Sequence, residues 1–266
     1  MNQLSQPSQP SQPSQPDLEV IGLLPAGGQA TRLAPLPLSK ELFPIGFASD
    51  AAGQVKPKVV GQYLLERMRL AGITKAFWIL RPGKWDIPAY FGDGARLEMR
   101  LAYLTVHVAH GVPYTLNQAF PFVQTAIVAL GFPDILFQPE DAYSQILARL
   151  RRGKADVVLG LFPTQQPQKA GMVEFDAAGQ VMQIIEKPQQ SELTYMWAIA
   201  VWRPSFTQFL NDYVSRHLAG TELPIGDVIQ AAIAAGLRVE AEPFATGSFR
   251  DVGTPDDLRQ AIRDLT

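Results

Sequence analysis

The sequence predicts a single α/β domain: a doubly wound, mostly parallel sheet covered on both faces, with a β-hairpin region inserted late in the chain. Three observations carry that prediction. Strand-length apolar runs alternate with helix-length amphipathic ones, which is the pattern of βαβ units. The texture changes at Gly171 to short alternating strands around a turn. The 266 residues are enough for one α/β core with insertions, and no second domain boundary is visible.

Taken in order, residues 18–25 form a short apolar run closed by Pro25, a buried strand. Residues 59–73 place Tyr63, Leu64, Met68 and Ala71 near one face and stop at Gly72, a helix. Residues 75–80 return to strand. Residues 101–106 and 125–132 are further strands, separated by a helix near residues 116–122. Residues 140–153 are helical, with Glu140 and Asp141 in the first turn, Arg151 and Arg152 in the last, and Gly153 as the stop. Residues 155–162 are strand. From Gly171 two alternating strands flank residues 176–179, a hairpin signal that reads as a lid or inserted subdomain. Residues 195–202 are strand, then helices follow near residues 205–217 and 225–235. The last strand spans residues 237–244, and a loop from Ser248 leads to a terminal helix capped near Thr254.

Composition narrows the function. Hydrophobic content of 47%, charged content of 18% and a net charge of −2 describe an ordinary globular chain with no basic field for nucleic acid or anionic lipid. There are no cysteines, which removes disulfides, thiolate metal sites and a cysteine nucleophile. The three histidines, His107, His110 and His217, argue against a three-histidine metal site. No run approaches the roughly 18 apolar residues of a membrane span, so no membrane association is expected. The first residues lack the basic start and apolar stretch of a signal peptide, and the expected location is cytoplasmic. Residues 5–16 read Ser-Gln-Pro four times over. With no apolar residues to offset ordering entropy, residues 1–17 are expected to be a disordered tail and residues 18–266 the folded domain.

The chemistry starts at the first strand's end, "LPAGGQATRLAPLPLSKELFPIG", residues 24–46. A strand that feeds a glycine-rich turn exposes backbone N–H groups at the carboxyl edge of a sheet, where they bind phosphate oxygens. Gly27 and Gly28 let a nucleotide approach the backbone. Arg32 and Lys40 can neutralise a triphosphate, one by forked hydrogen bonds and one as a point charge. Neither of the better-known phosphate loops fits. Gly83-Lys84-Trp85 and Gly153-Lys154-Ala155 lack the Ser/Thr of a P-loop, and Gly22, Gly27 and Gly28 miss the dinucleotide-binding spacing.

The stretch resembles the signature of the sugar-1-phosphate nucleotidyltransferases, or nucleoside-diphosphate-sugar pyrophosphorylases. Gly27-Gly28-Gln29-Ala30-Thr31-Arg32-Leu33 stands for that family's glycine loop and Ser39-Lys40-Glu41-Leu42-Phe43-Pro44-Ile45 for its lysine motif. The Ser-Lys-x-Leu form is most similar to thymidylyl- and uridylyltransferases that act on glucose 1-phosphate. The resemblance runs on through residues 71–73, 90–94, the base-reading stretch 113–119, Glu186-Lys187-Pro188 and Asp251-Val252-Gly253-Thr254. It covers residues 18–266 and lacks a C-terminal β-helix, as in the short single-domain members.

The resemblance implies a Rossmann-like nucleotide-binding core and a reaction between a nucleoside triphosphate, dTTP or UTP by default, and a sugar 1-phosphate, glucose 1-phosphate by default. It gives catalytic roles to Arg32, Lys40 and Lys187. Ala26, Gly27, Gly28, His110, Thr115 and Leu116 would contact the nucleotide. Gly171, Glu186 and Lys187 would contact the sugar phosphate, and Asp134 and Asp251 would hold Mg2+. Each side chain also has an ordinary structural use. Asp134 can cap a turn, with Asp141 competing for either role. Glu186 and Lys187 can be a solvated pair, and Asp251 can cap the turn before the last helix. Four departures stand out: Ala30 replaces the third glycine, the interval from Arg32 to Lys40 is shorter, Phe132-Pro133 precedes Asp134, and Thr115, Asn117 and His110 alter the base-reading stretch. A sugar-nucleotide-binding regulatory protein on the same scaffold, without catalysis, is the alternative.

Overall fold

The computed structural model describes residues 18–28, 30–49, 52–107, 110–217 and 222–265; the Ser-Gln-Pro tail lies outside the described residues. In chain order the elements are β1 (Val20–Ala26), β2 (Pro44–Ser49), β3 (Val55–Val59), α1 (Val60–Leu70), β4 (Lys75–Leu80), α2 (Asp86–Phe91), β5 (Arg100–Thr105), α3 (Val112–Asn117), α4 (Phe120–Val123) and β6 (Ile127–Gly131). There follow β7 (Ile135–Gln138), α5 (Ala142–Arg152), β8 (Val157–Pro163), β9 (Gly171–Phe175), β10 (Val181–Glu186), β11 (Tyr195–Trp202), α6 (Pro204–Arg216), α7 (Ile225–Ala234), β12 (Val239–Pro243), β13 (Ser248–Asp251) and α8 (Pro255–Leu265).

The central sheet is largely parallel. Strands β5, β4, β1 and β6 run side by side in one direction, and β8 with β12 share it. Strand β11 is reversed between β6 and β8. All five residues of β6 are buried, as expected of an interior strand covered by helices on both faces. One face packs on α1 and α5 through Leu64, Met68, Ile146 and Leu150; the other packs on α6 and α7 through Phe206, Leu210, Val228 and Ile229. The β9–β10 hairpin joins this sheet where Met172 pairs with Met196, so it extends the sheet and is no separate subdomain.

The structure corrects the sequence reading in several places. The helix expected near residues 116–122 is two short ones, because Pro121 has no N–H to donate and α4 restarts around it. Helix α5 begins at Ala142, leaving Glu140 outside and Asp141 at the cap position, where its carboxylate accepts from Gln145 Nε2 at 3.1 Å. The residues expected to be loop after Ser248 form β13, paired antiparallel with β7. The β2–β3 hairpin was not foreseen: both of its short strands carry a proline, which argues against strand, and β2 lacks apolar–polar alternation. The cap at Thr254 has the expected chemistry: its hydroxyl accepts from the Asp257 N–H at 3.2 Å and donates to the Asp257 carboxylate at 2.6 Å.

Candidate functional site

The parallel register builds the site at one edge. Ala26 pairs with Leu80 and Leu23 with Leu130, so β1 and β4 end together and β6 ends about two residues short of them on the same edge. The residues that follow them, Gly27-Gly28, Arg81 and the turn to Asp134, therefore share the carboxyl edge of the sheet. Ala26 is buried at the strand end, Gly27 is half-buried and Gly28 is exposed. Ala30 adopts φ 53, ψ 34, the left-handed region that glycine occupies without cost, and leads into a single 3-10 turn, Thr31–Leu33, that carries Arg32. A second such turn, Lys40–Leu42, carries Lys40.

Two distant segments bring the carboxylates together. Gly131 lets β6 approach the helices closely: a Cβ there would lie 2.5 Å from Leu64 Cδ1. After the turn at Phe132-Pro133, strand β7 pairs with β13, with Ile135 opposite Asp251, and the Val252 N–H donates to the Asp134 carbonyl at 2.8 Å. Asp134 and Asp251 thus flank the same corner. Lys40 forms an ion pair with Asp134 there. A Cβ on Gly253 would lie 2.9 Å from an Asp251 carboxylate oxygen and 3.1 Å from Arg32 Nη2, which places Arg32 beside Asp251.

These groups set one another's ionisation. Burial pushes the Asp251 carboxyl up to about 6, and the neighbouring Asp134 pushes the same way, against the opposing pull of Lys40 and Arg32. Burial works against the Lys40 ammonium, but Asp134, Glu41 and Asp251 outweigh it, and its pKa is raised. A pair of crowded carboxylates is a donor set for a hard divalent cation, which would relieve their repulsion. Among the described residues no group of three or more metal-binding side chains occurs. Two aspartates would leave the remaining positions to phosphate oxygens and water.

The hairpin side presents a different environment. Glu186 pairs with Gly171 across β10 and β9, and its carboxylate accepts from the Gly226 N–H at the start of α7. Burial raises its pKa, with Asp227 adding to the shift, while Lys187 and the Gly226 hydrogen bond oppose it. Gly226 has no room for a Cβ against this carboxylate. A Cβ on Gly171 would meet Trp197 Nε1 at 2.7 Å and Glu186 Oε1 at 2.9 Å, so both polar atoms point at this glycine. Lys187 is exposed and left-handed at φ 45, an uncommon backbone state for a lysine, with its N–H donating to the Ala170 carbonyl at 3.0 Å.

The stretch 113–119 is more enclosed than its residues suggested. Thr115 and Leu116 are buried, and the Thr115 hydroxyl donates to the Gly111 carbonyl at 3.2 Å. Their carbonyls are engaged as well, Thr115 accepting the Gln118 N–H at 3.3 Å and Leu116 the Ala119 N–H at 3.0 Å. His110 is half-buried, stacks edge-on against Tyr114 with ring centroids 5.9 Å apart, and accepts the Leu223 N–H on its carbonyl at 3.1 Å.

A family model for "Nucleotidyl transferase" matches residues 21–266. The chain belongs to that family. The nucleotidyl transferases it resembles include the low-salt glycan biosynthesis nucleotidyltransferase of Haloferax volcanii, 25% identical over 244 residues, a match that covers 90% of this chain and 64% of that one. The chain thus spans just under two thirds of that relative's length. A glucose-1-phosphate thymidylyltransferase of Mycolicibacterium smegmatis is 30% identical over 253 residues, covering 90% of this chain and 80% of that one. The solved structure of a UDP-glucose pyrophosphorylase complexed with UDP-glucose has the same fold, with a TM-score of 0.77 at 17% identity, over 93% of this chain and 98% of that one.

Beside the residues expected for a nucleotidyl transferase, the structure adds several that the sequence reading passed over. Lys84, considered only as part of a P-loop, is buried and donates to Glu41 at 2.6 Å. Asp86 accepts both the Ser39 N–H at 2.6 Å and the Ser39 hydroxyl at 2.7 Å, tying the Lys40 turn to the segment after β4. Trp197 packs against Phe132 with ring centroids 6.0 Å apart. Arg81 had a signal in the sequence: it is the first residue after a strand that neighbours the glycine-loop strand.

Proposed function

We propose that the chain transfers a nucleotidyl group from a nucleoside triphosphate to a sugar 1-phosphate. An oxygen of the acceptor phosphate forms a bond to the α-phosphorus as the bond from that phosphorus to the β-bridging oxygen breaks. The products are an NDP-sugar and pyrophosphate. The observation that carries the reading is the corner where Arg32, Lys40, Asp134 and Asp251 meet beside the glycine loop. Phosphoryl chemistry of this kind needs alignment and charge neutralisation more than covalent help.

In this reading Ala26, Gly27 and Gly28 receive the nucleotide at the sheet edge, and His110, Thr115 and Leu116 contact it. Arg32 stabilises charge on the departing pyrophosphate, and Lys40, held by Asp134, lies along the same phosphates. Lys187 holds the acceptor phosphate, with Glu186 and Gly171 against the sugar. Asp134 and Asp251 would hold Mg2+, which supplies charge neutralisation at the α-phosphate when bound. Glucose 1-phosphate with dTTP or UTP is the first substrate pair to test, and the cytoplasm the compartment in which such substrates occur.

The test is pyrophosphate release with magnesium, each common nucleoside triphosphate crossed against a panel of sugar 1-phosphates. Release with one pair establishes the activity and names both substrates. Silence across the panel with measurable sugar-nucleotide binding establishes the non-catalytic alternative instead.

A further inference from the structure

Strand β11 outruns its neighbour. Ile199 pairs with Gly131, the last residue of β6, so residues 195–197 lie past the end of that strand at the carboxyl edge of the sheet. The register against β8 shifts between Trp197 and Ile199, a bulge of the kind that re-aims a side chain. Ala198 and Ile199 consequently both join the core on the α1–α5 face, while Trp197 packs on the other. Its ring lies against Phe132, two residues before Asp134. Trp197 thus stands between the aspartate corner and the β9–β10 hairpin.

Trp197 is 5% exposed, yet among the described residues nothing accepts a hydrogen bond from its Nε1. A buried indole N–H ordinarily has a partner. Trp202 shows the usual arrangement, donating to the Thr207 hydroxyl at 2.9 Å. Trp78 Nε1 also lacks an acceptor, but it is sealed in the core, and Trp197 Nε1 is not. It borders the face of Gly171 that a side chain would fill, where a Cβ would stand 2.7 Å from it.

The same face carries an acceptor. Glu186 Oε1 lies 2.9 Å from that Cβ position, and Glu186 is half-buried. The two atoms are close enough to hydrogen-bond one small group between them. An indole N–H donates and never accepts, and a carboxylate accepts and does not donate. A group that satisfies both through one atom must do each in turn, as a hydroxyl does. An ether oxygen offers Glu186 nothing, and an amide nitrogen offers Trp197 nothing.

We propose that Trp197 is a specificity-determining residue for the acceptor, its indole N–H and the Glu186 carboxylate gripping one sugar hydroxyl over Gly171. The proposal rests on the function above and deepens it by narrowing the substrate class. The acceptors are sugar 1-phosphates with a free hydroxyl at that carbon, and deoxy and acetamido sugars are excluded. A site built to hydrogen-bond a hydroxyl rejects the analogue that lacks it, because its buried polar groups are left unpaired. The indole, braced by Phe132, also bounds the space, which counts against the bulk of an acetamido group.

The experiment compares the full chain with Trp197→Phe and Gly171→Ala. Steady-state constants are measured with magnesium for the sugar 1-phosphate that the wild type turns over, its monodeoxy isomers and its acetamido analogue. Calorimetry with UDP-glucose or dTDP-glucose, set against UTP or dTTP, gives binding without turnover. The wild type is expected to lose about a hundredfold in kcat/KM on one deoxy isomer and on the acetamido sugar. Trp197→Phe should shrink that one discrimination about tenfold, leaving the other isomers' ratios and the triphosphate KM within about twofold. Gly171→Ala, whose methyl fills the gap, should weaken the sugar nucleotide and spare the triphosphate. Unchanged discrimination in an active Trp197→Phe enzyme overturns the inference and leaves the function standing. So does an equal loss on every sugar, since Trp197 would then merely pack, and so does a wild type that prefers the acetamido sugar. A wild type that turns over no sugar phosphate and binds no sugar nucleotide removes the function, and the inference with it.

Discussion

Replacing Asp251 by Asn is expected to stabilise the metal-free protein while disabling it. The Asp251 carboxyl is pushed up to about 6 from an ordinary value of 3.8, chiefly by burial and then by Asp134, so its charge is a net cost to the fold even after the attraction of Lys40 and Arg32. About two pKa units at 1.36 kcal/mol each give close to 3 kcal/mol, and solvent screening of a half-buried group trims this to about 1–2 kcal/mol. At roughly 2–4 °C per kcal/mol for a domain of this size, the expected rise in melting temperature at pH 8 is about 2–8 °C. The sign follows from proton binding. Between pH 3.8 and about 6 the folded state holds a proton that the unfolded state has released, so this group's contribution declines as pH rises through that window. Asp251→Asn should lose that slope. The assay is thermal unfolding of wild type and variant in a chelator from pH 4 to pH 8, followed by turnover with magnesium, where a drop of roughly hundredfold or more is expected. A variant that melts at or below the wild-type temperature at pH 8, or that keeps the wild-type slope between pH 4 and 6, would refute the account of crowded carboxylates.

Three further outcomes can be checked directly. Lys84→Met strands the buried Glu41 and should cost about 3–5 kcal/mol by chemical denaturation, whereas adding Glu41→Leu to it should recover most of that loss. Ala30→Gly removes a left-handed alanine and should raise stability by about 1 kcal/mol without loss of turnover; a lower midpoint would show that Ala30 is not strained. Arg32→Ala and Lys187→Ala should each remove about 3 kcal/mol of transition-state stabilisation. They should differ in which substrate weakens: steady-state kinetics should assign the triphosphate to Arg32 and the sugar phosphate to Lys187.

The sequence by itself determined the alternation of strand and helix, the glycine loop at a strand's end, the hairpin at residues 176–179 and the Thr254 cap. Each of these is a local matter: apolar periodicity, a turn residue's conformational freedom, or a side chain capping a backbone donor three residues away. The adjacency of Asp134 and Asp251 is of another kind. It depends on β7 and β13, four-residue strands too short to announce themselves, pairing across more than a hundred residues of chain. The burial of Lys84 against Glu41 and the tie from Asp86 to Ser39 were likewise decided by packing, because a charged residue's surroundings are set by whatever the fold brings to it. Arg81 lies between the two cases. Its place after a strand could be read from the chain, but its hydrogen bond to the Gly28 carbonyl emerges only when β1 and β4 are laid in register.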